Sequence, residues 1–310
     1  MENNEIKVSV IVPVYKEHEY FEKCIRSLLA QKVDFRYEIL LECFGSDETM
    51  VELAKKYEKE HPSLVFVYQH EKNYGISASR NAGILQARGT YISFVDSDDI
   101  LEENFLSFMV SKAIKYPKAD MISSSYYLYP KWKWLEPFRT RYHGEGRKVI
   151  YRFFNHLNMK YQVYCWARIY RTEFLKKNQI SFFSDMDIYE DWPFFMEVLY
   201  HAKEVRFYRK QLYHYVQRKG SAVHRKRDAL YYNLKAIKHI HDYLIEKDKE
   251  FAKKVFHRIS LQMKAHMMLV SYISKELYQQ NFFDLYKNSK EMLQDVYDGK
   301  ELINGPKKIL

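Results

Sequence analysis

The chain has 310 residues, 50 Lys+Arg against 40 Asp+Glu for a net charge of +10, and it pairs 28 Tyr, 20 Phe and 4 Trp with only 9 Gly. Ordinary glycine usage of about 7% would supply about 22. Apolar residues at 47% and charged residues at 29% describe a globular chain long enough to bury a core, in one large domain or two, and exclude a disordered or collagen-like polypeptide.

Cys24, Cys43 and Cys165 lie far apart with no CxxC spacing. They suggest neither a disulfide framework nor a zinc knuckle, and they fit a reducing, cytoplasmic setting. The N-terminus lacks a signal-peptide pattern, and no apolar run approaches the roughly 18 residues needed to span a bilayer. The expectation is a soluble protein, or one bound peripherally at the inner face of the membrane. The basic surplus suits an anionic partner or a merely solvated basic face.

In chain order, Val8 to Tyr15 is a β-branched apolar run ending near Pro13, as a buried parallel strand reads. Phe21, Cys24, Ile25, Leu28 and Leu29 then recur at helical spacing. The alternation continues with a strand over Tyr37 to Phe44, a helix from Thr49 to Glu60, a strand over Val65 to His70, a helix over Ser77 to Arg88 and a strand over Thr90 to Val95. This predicts right-handed βαβ crossovers and a Rossmann-like, mostly parallel α/β sheet with flanking helices. A helix over Glu103 to Lys115 and a strand over Ala119 to Tyr129 follow, leading into a loop with Trp132, Trp134 and Pro137. From Arg225 the pattern turns to long amphipathic helices, on Leu230, Leu234, Ile237, His241 and Leu244 and then on Val255, Ile259, Met263, Met267 and Val270, with 17 Lys+Arg against 11 Asp+Glu. The expected organisation is a catalytic domain over 1–224, with a donor half at 1–130 and an acceptor half at 131–224, followed by a basic helical region at 225–310.

Open parallel sheets bind ligands at the carboxyl ends of their strands. Those positions are Pro13, Val14 and Tyr15, then Glu42, Cys43, Phe44 and Gly45, then Asp96, Ser97, Asp98 and Asp99. Three carboxylates within four residues raise one another's pKa unless a cation relieves them, and a hard divalent ion such as Mn²⁺ or Mg²⁺, carrying a diphosphate, would do so. The plain alternative is that Asp98 or Asp99 caps the next helix. In Asn73-Tyr-Gly-Ile-Ser-Ala-Ser-Arg-Asn-Ala-Gly83, Gly75 permits a positive-φ turn, Ser77 offers a cap, and Arg80 and Asn81 lie one turn inside the helix, in reach of an anion or a nucleobase.

Ser9-Val-Ile-Val-Pro-Val-Tyr15, Ser27-Leu-Leu-Ala-Gln31, Gly45-Ser-Asp47-x-Thr49, Asn73-x-Gly75-x-Ser77-x-x-Arg80-Asn81 and Asp96-Ser-Asp-Asp99 occur in one order. The set resembles the donor-binding half of family 2 glycosyltransferases. The resemblance covers residues 6 to 130 closely and extends more loosely to 224. It implies a GT-A fold that binds a nucleotide diphosphate sugar across Pro13, Val14, Tyr15, Glu42, Asn73, Arg80, Asp96 and Ser97, with Asp96 toward the ribose and Asp98 on the metal. Glu190-Asp191 resembles the family's Glu-Asp motif, whose Asp is the catalytic base of inverting transfer. Tyr213-His-Tyr215 and Arg218 to His224 resemble its closing loop, with His214 or His224 as a further phosphate or metal ligand or simply a surface histidine.

One departure concerns the two acids usual after the second strand, read here as Glu42-Cys43. A thiol is a poor acceptor for the uracil imide, so Glu42 shifts over, a backbone carbonyl substitutes, or the base is not uracil; UDP is retained as the expectation. On the acceptor side, a glycan or lipid-linked acceptor is expected, and Trp192 and Trp166 are the candidate rings for stacking on sugar. The basic C-terminal helices suit a membrane surface, a homodimer or a cover on the catalytic domain. No nucleic-acid partner is expected. The rivals are a nucleotidyltransferase, which would need a glycine- and lysine-rich loop where Tyr15-Lys-Glu-His stands, and a non-catalytic binding module with a basic tail.

Overall fold

The computed structural model describes residues 5–16, 18–129, 147–149, 163–217, 226–250 and 252. The chain divides into two compact units, residues 1–219 and 220–310.

In the first unit, β1 (Ile6–Val14), β2 (Arg36–Phe44), β3 (Val65–His70) and β4 (Tyr91–Phe94) alternate with α1 (His18–Leu29), α2 (Glu48–Glu60) and α3 (Gly75–Gln86). The four strands pair in parallel in the order β3-β2-β1-β4. Val8, Val10, Ile11 and Val12 of β1 are fully buried, as a strand covered on both faces requires. The sequence placed all of these elements, within about two residues at each end.

The sheet continues past β4 in a different style. After β5 (Ile100–Leu101), α4 (Phe105–Lys115) and β6 (Met121–Tyr129) come β7 (Arg147–Val149), β8 (Arg168–Arg171), α5 (Thr172–Lys177), α6 (Asp191–His201) and β9 (Val205–Val216). β8 enters antiparallel between β4 and β6, β6 and β9 run parallel, and β5 and β7 pair antiparallel to β9. The expected mostly parallel sheet therefore holds for β1 to β4 and gives way to mixed pairing beyond. One continuous sheet runs through both the expected donor and acceptor halves. Trp132, Trp134, His224 and the helical pattern from Val255 lie outside the described residues.

Close contact between α3 and the sheet explains Gly83. A Cβ at this position would lie 2.4 Å from Ile11 Cγ2 on β1, so only hydrogen lets the helix sit this near the strand. In the second unit, α7 (Lys226–Ile245) buries Ile237, His241 and Leu244, three members of the stripe expected from the sequence. Among the described residues no helix is long and apolar enough to cross a membrane.

Candidate active site

β1 lies between β2 and β4 and runs parallel to both, so the carboxyl ends of these strands share one edge of the sheet, where such folds bind ligands. Pro13 and Val14 close β1 as buried residues, while Tyr15 emerges at 38% exposure. The Ser46 hydroxyl donates to Val14 O (2.8 Å), and Asp47 caps α2 by accepting from Met50 N–H (2.9 Å). Gly45 has φ +60°, and a Cβ there would lie 2.7 Å from Asn73 Cβ, so the turn after β2 and the turn before α3 touch through a glycine. Asn73 itself accepts from Gly75 N–H (2.8 Å) and shapes the entry to α3.

The acidic turn follows β4. Asp99 is fully buried and used internally: the Tyr213 hydroxyl donates to its Oδ2 (2.6 Å) and Val216 N–H donates to its Oδ1 (2.7 Å). Burial, with Asp98 and Asp96 beside it, pushes this carboxyl well above the usual range. Asp99 thus ties the turn to β9, while Asp96 and Asp98 remain partly exposed and Ser97 is buried. The Ser27 and Gln31 motif anchors the same turn from α1. Leu101 N–H donates to Ser27 Oγ (3.1 Å), Leu106 N–H donates to Gln31 Oε1 (3.0 Å), and Gln31 Nε2 donates to Glu102 O (2.8 Å).

The second acidic element arrives from the other half of the chain. Glu190 and Asp191 stand at the N-terminus of α6, after Tyr189 at φ +62°. Arg80, 1% exposed, meets all of them: Nη1 donates to Glu190 Oε1 (2.6 Å) and Asp191 Oδ1 (3.1 Å), and Nη2 donates to Asp96 Oδ1 (2.8 Å). Burial and the adjacent Asp191 push the Glu190 carboxyl up to about 7 against the pull of Arg80. Burial also raises Asp191, opposed by Arg80 and by hydrogen bonds from Cys165. The Asp191 side chain keeps 18% exposure, so a carboxylate more basic than usual remains within reach of a ligand.

Several expected contacts fall elsewhere. Arg80 was expected on an anion or nucleobase of the donor, but both of its Nη groups are committed to protein carboxylates. Glu42 is fully buried beneath His70, whose Nε2 is 3.1 Å from Glu42 Oε2, so no base reaches it in this arrangement; Cys43 is buried too. Trp166 is 7% exposed and stacked on Tyr164 (3.8 Å between centroids), Tyr213 (4.7 Å) and Tyr215 (5.2 Å), which leaves little ring face for a sugar. Trp192 is 7% exposed as well. His214 pairs with Glu102 (2.7 Å) in β9 and stacks on Tyr127. Sequence reasoning missed Cys165 beside Asp191, for which it held no signal, and the Asp99 contact of Tyr213, which it had assigned to a closing loop.

A divalent ion would find hard oxygen donors in Asp96 and Asp98. Among the described residues, however, no group of three His, Cys, Asp or Glu side chains could hold a metal. The donor set fits an ion whose remaining positions are filled by something else, and diphosphate oxygens have the right chemistry.

A strand-end crevice with an Asp-x-Asp turn facing a Glu-Asp helix start defines a GT-A type α/β protein. The Glycosyl transferase family 2 profile matches residues 9–178, and the chain belongs to that family. It is 29% identical over 217 residues to the uncharacterized glycosyltransferase EpsJ of Bacillus subtilis, a match covering 69% of this chain and 62% of EpsJ. The chain thus spans about three fifths of that relative's length. The fold is similar to S. aureus TarS 1–349 in complex with UDP-GlcNAc, with a TM-score of 0.70 and 22% identity over 94% of this chain and 82% of that one. It is also similar to the mannosyltransferase PcManGT of Pyrobaculum calidifontis in complex with GDP-Man and Mn²⁺, with a TM-score of 0.57 and 13% identity over 95% of this chain and 86% of that one.

Proposed function

We propose that the chain is a metal-dependent inverting glycosyltransferase that moves a sugar from a UDP-sugar to a hydroxyl of a glycan or lipid-linked acceptor in bacterial surface polysaccharide synthesis. The observation that carries this reading is the meeting of the Asp96 turn with Glu190 and Asp191 on the buried guanidinium of Arg80, which lies 16 residues before Asp96 and 110 before Glu190 in sequence. It brings an element suited to a nucleotide diphosphate beside a carboxylate suited to a proton. The structures of TarS in complex with UDP-GlcNAc and of PcManGT in complex with GDP-Man and Mn²⁺ support the donor class and leave the nucleobase to be decided.

In this reading Asp191 accepts the proton of the acceptor hydroxyl as its oxygen bonds to the anomeric carbon. The bond from that carbon to the diphosphate breaks on the opposite face, and the configuration inverts. Asp98 and Asp96 would hold an Mn²⁺ or Mg²⁺, whose charge would stabilise the leaving diphosphate. In this reading Tyr15 and Asn73, both exposed, border the nucleoside.

The test is a thermal-shift screen of UDP, GDP and their sugars with and without Mn²⁺, because a ligand that binds only the native state raises its stability. A Mn²⁺-dependent rise with a uridine nucleotide is expected; none with any nucleoside diphosphate overturns the reading. Asp191→Asn should lower transfer about 10²-fold, the loss typical of removing a general base, and near-full activity would refute that role.

A further inference from the structure

Helix α3 grips the segment that leads to the acid pair at three places. At its start, Asn81 uses both ends of its amide: Nδ2 donates to Phe182 O (2.8 Å), and Phe182 N–H donates to Oδ1 (2.8 Å). One helical side chain thereby satisfies a loop backbone as a neighbouring strand would. The Phe182 ring lies 5.1 Å from the Arg80 guanidinium carbon, and the Ser77 hydroxyl reaches Met186 O (3.5 Å) midway along the segment. At its far end Arg80 holds Glu190 and Asp191. Between these grips the backbone passes through Tyr189 at φ +62°, a conformation costly for a residue other than glycine and kept only where surrounding contacts enforce it.

We propose that Arg80 and Asn81 are positioning residues: they fasten the 182–191 segment to α3 so that Asp191 is aimed at the acceptor, and they do not bind the donor. Arg80 extends the arrangement to Asp96, so the base and the nucleotide turn are registered to each other through one side chain. The inference rests on the proposed glycosyl transfer for its kinetic part and on the geometry alone for its structural part.

The test compares wild type with Arg80→Gln, Arg80→Lys and Asn81→Ala in three readouts: amide hydrogen exchange of residues 182–191, UDP affinity in Mn²⁺ by calorimetry, and UDP release from UDP-glucose, UDP-galactose and UDP-N-acetylglucosamine. Expected are faster exchange of the 182–191 segment in each variant and a UDP Kd within about threefold of wild type. The turnover loss should lie in kcat, about 10²-fold for Arg80→Gln and about 10-fold for Asn81→Ala, as small misplacement of a reacting group produces. Arg80→Lys should recover part of the loss. Adding Asp191→Asn to Arg80→Gln should cost little more than either change alone, since the two act as a unit. A tenfold weaker UDP Kd with kcat retained would make Arg80 a donor ligand and overturn the proposal. Unchanged exchange over 182–191 would overturn it as well. If Arg80→Gln does not fold, Asn81→Ala, which touches no carboxylate, decides. Absence of turnover in wild type would count against the proposed function, while the exchange result still decides the fastening.

Discussion

Replacing Glu42 by Gln should make the protein more stable in alkali and flatten the dependence of its stability on pH. The Glu42 side chain is fully buried, its Oε1 has no hydrogen-bond partner, and its Oε2 lies 3.1 Å from His70 Nε2. Burial pushes the carboxyl up to about 8, and burial also pushes His70 down. Both displacements favour a neutral pair, in which protonated Glu42 donates to an unprotonated imidazole nitrogen, over an ion pair. The folded protein then holds a proton that the unfolded chain releases above about pH 4.3, so stability falls as pH rises from there to 8. At about 1.4 kcal/mol per pH unit the penalty reaches a few kcal/mol by pH 9. Glu190, raised to about 7, adds a slope of the same sign, and His70 opposes it only below about pH 6.5, where its contribution is lost as pH falls. Both remain in Glu42→Gln, so the difference between the two proteins isolates Glu42. Trp132, Trp134, Trp166 and Trp192 all lie in the 1–219 unit, and urea unfolding followed by tryptophan fluorescence reports on that unit. At pH 5 the variant should be equal to wild type or about 1 kcal/mol weaker, because the new amide leaves a donor unmet. By pH 9 it should lead by a few kcal/mol. A difference that stays flat from pH 5 to 9 would show that Glu42 is ionised throughout and would refute the neutral pair.

Gly83→Ala should cost about 1–3 kcal/mol in the same assay, because the added methyl meets Ile11 Cγ2 at 2.4 Å and the helix must lift from β1; a neutral result would mean the contact yields freely. Tyr213→Phe removes the hydroxyl that donates to buried Asp99 and accepts from Asp96 N–H, and it should cost about 1–3 kcal/mol while reducing the Mn²⁺-dependent shift with UDP. Tyr189→Gly should stay within about 1 kcal/mol of wild type, since relief at φ +62° offsets the added freedom of the unfolded chain, whereas Tyr189→Val should lose about 1–3 kcal/mol. Equal losses in both variants would mean that the Tyr189 ring matters more than its backbone.

What the sequence made legible follows from how far apart the interacting residues lie. β1 to β4 read clearly because a strand buried on both faces must be apolar throughout, as Val8 to Val12 are, and because the crossover helices between them show helical spacing. β9 was hidden: VRFYRKQLYHYV mixes charged and aromatic residues, since the strand is buried in part and exposed in part, and its end resembled a loop motif. The acidic turn and the Glu-Asp pair were visible as local patterns. Their junction on Arg80 was not, because no local period reports that residue 80 meets residue 190. Glu42 shows the same limit, since its strand-end position is written in β2 but its burial depends on His70 from β3 and on the stacking of His70 with Phe44 at 3.7 Å.

The net charge of +10 also conceals its own reversal at the site. Asp96, Glu190 and Asp191 gather about a single guanidinium whose two Nη groups are already committed, and Asp98 and Asp99 follow Asp96 in the same turn. A diphosphate at the turn after β4 would be repelled by these carboxylates, the more strongly the less water remained between them. Two sources of positive charge are open: a divalent ion brought to Asp96 and Asp98, or the arginine and lysine side chains of the chain itself. The two differ in a measurable way. If the ion is the source, Mn²⁺ and UDP must each raise the other's affinity by the same factor, as linkage requires. If those side chains are the source, UDP affinity is indifferent to Mn²⁺ and falls with salt instead. The first case carries a further expectation, because two carboxylates alone would hold an ion weakly until a diphosphate completed its shell, so Mn²⁺ without UDP should shift stability little.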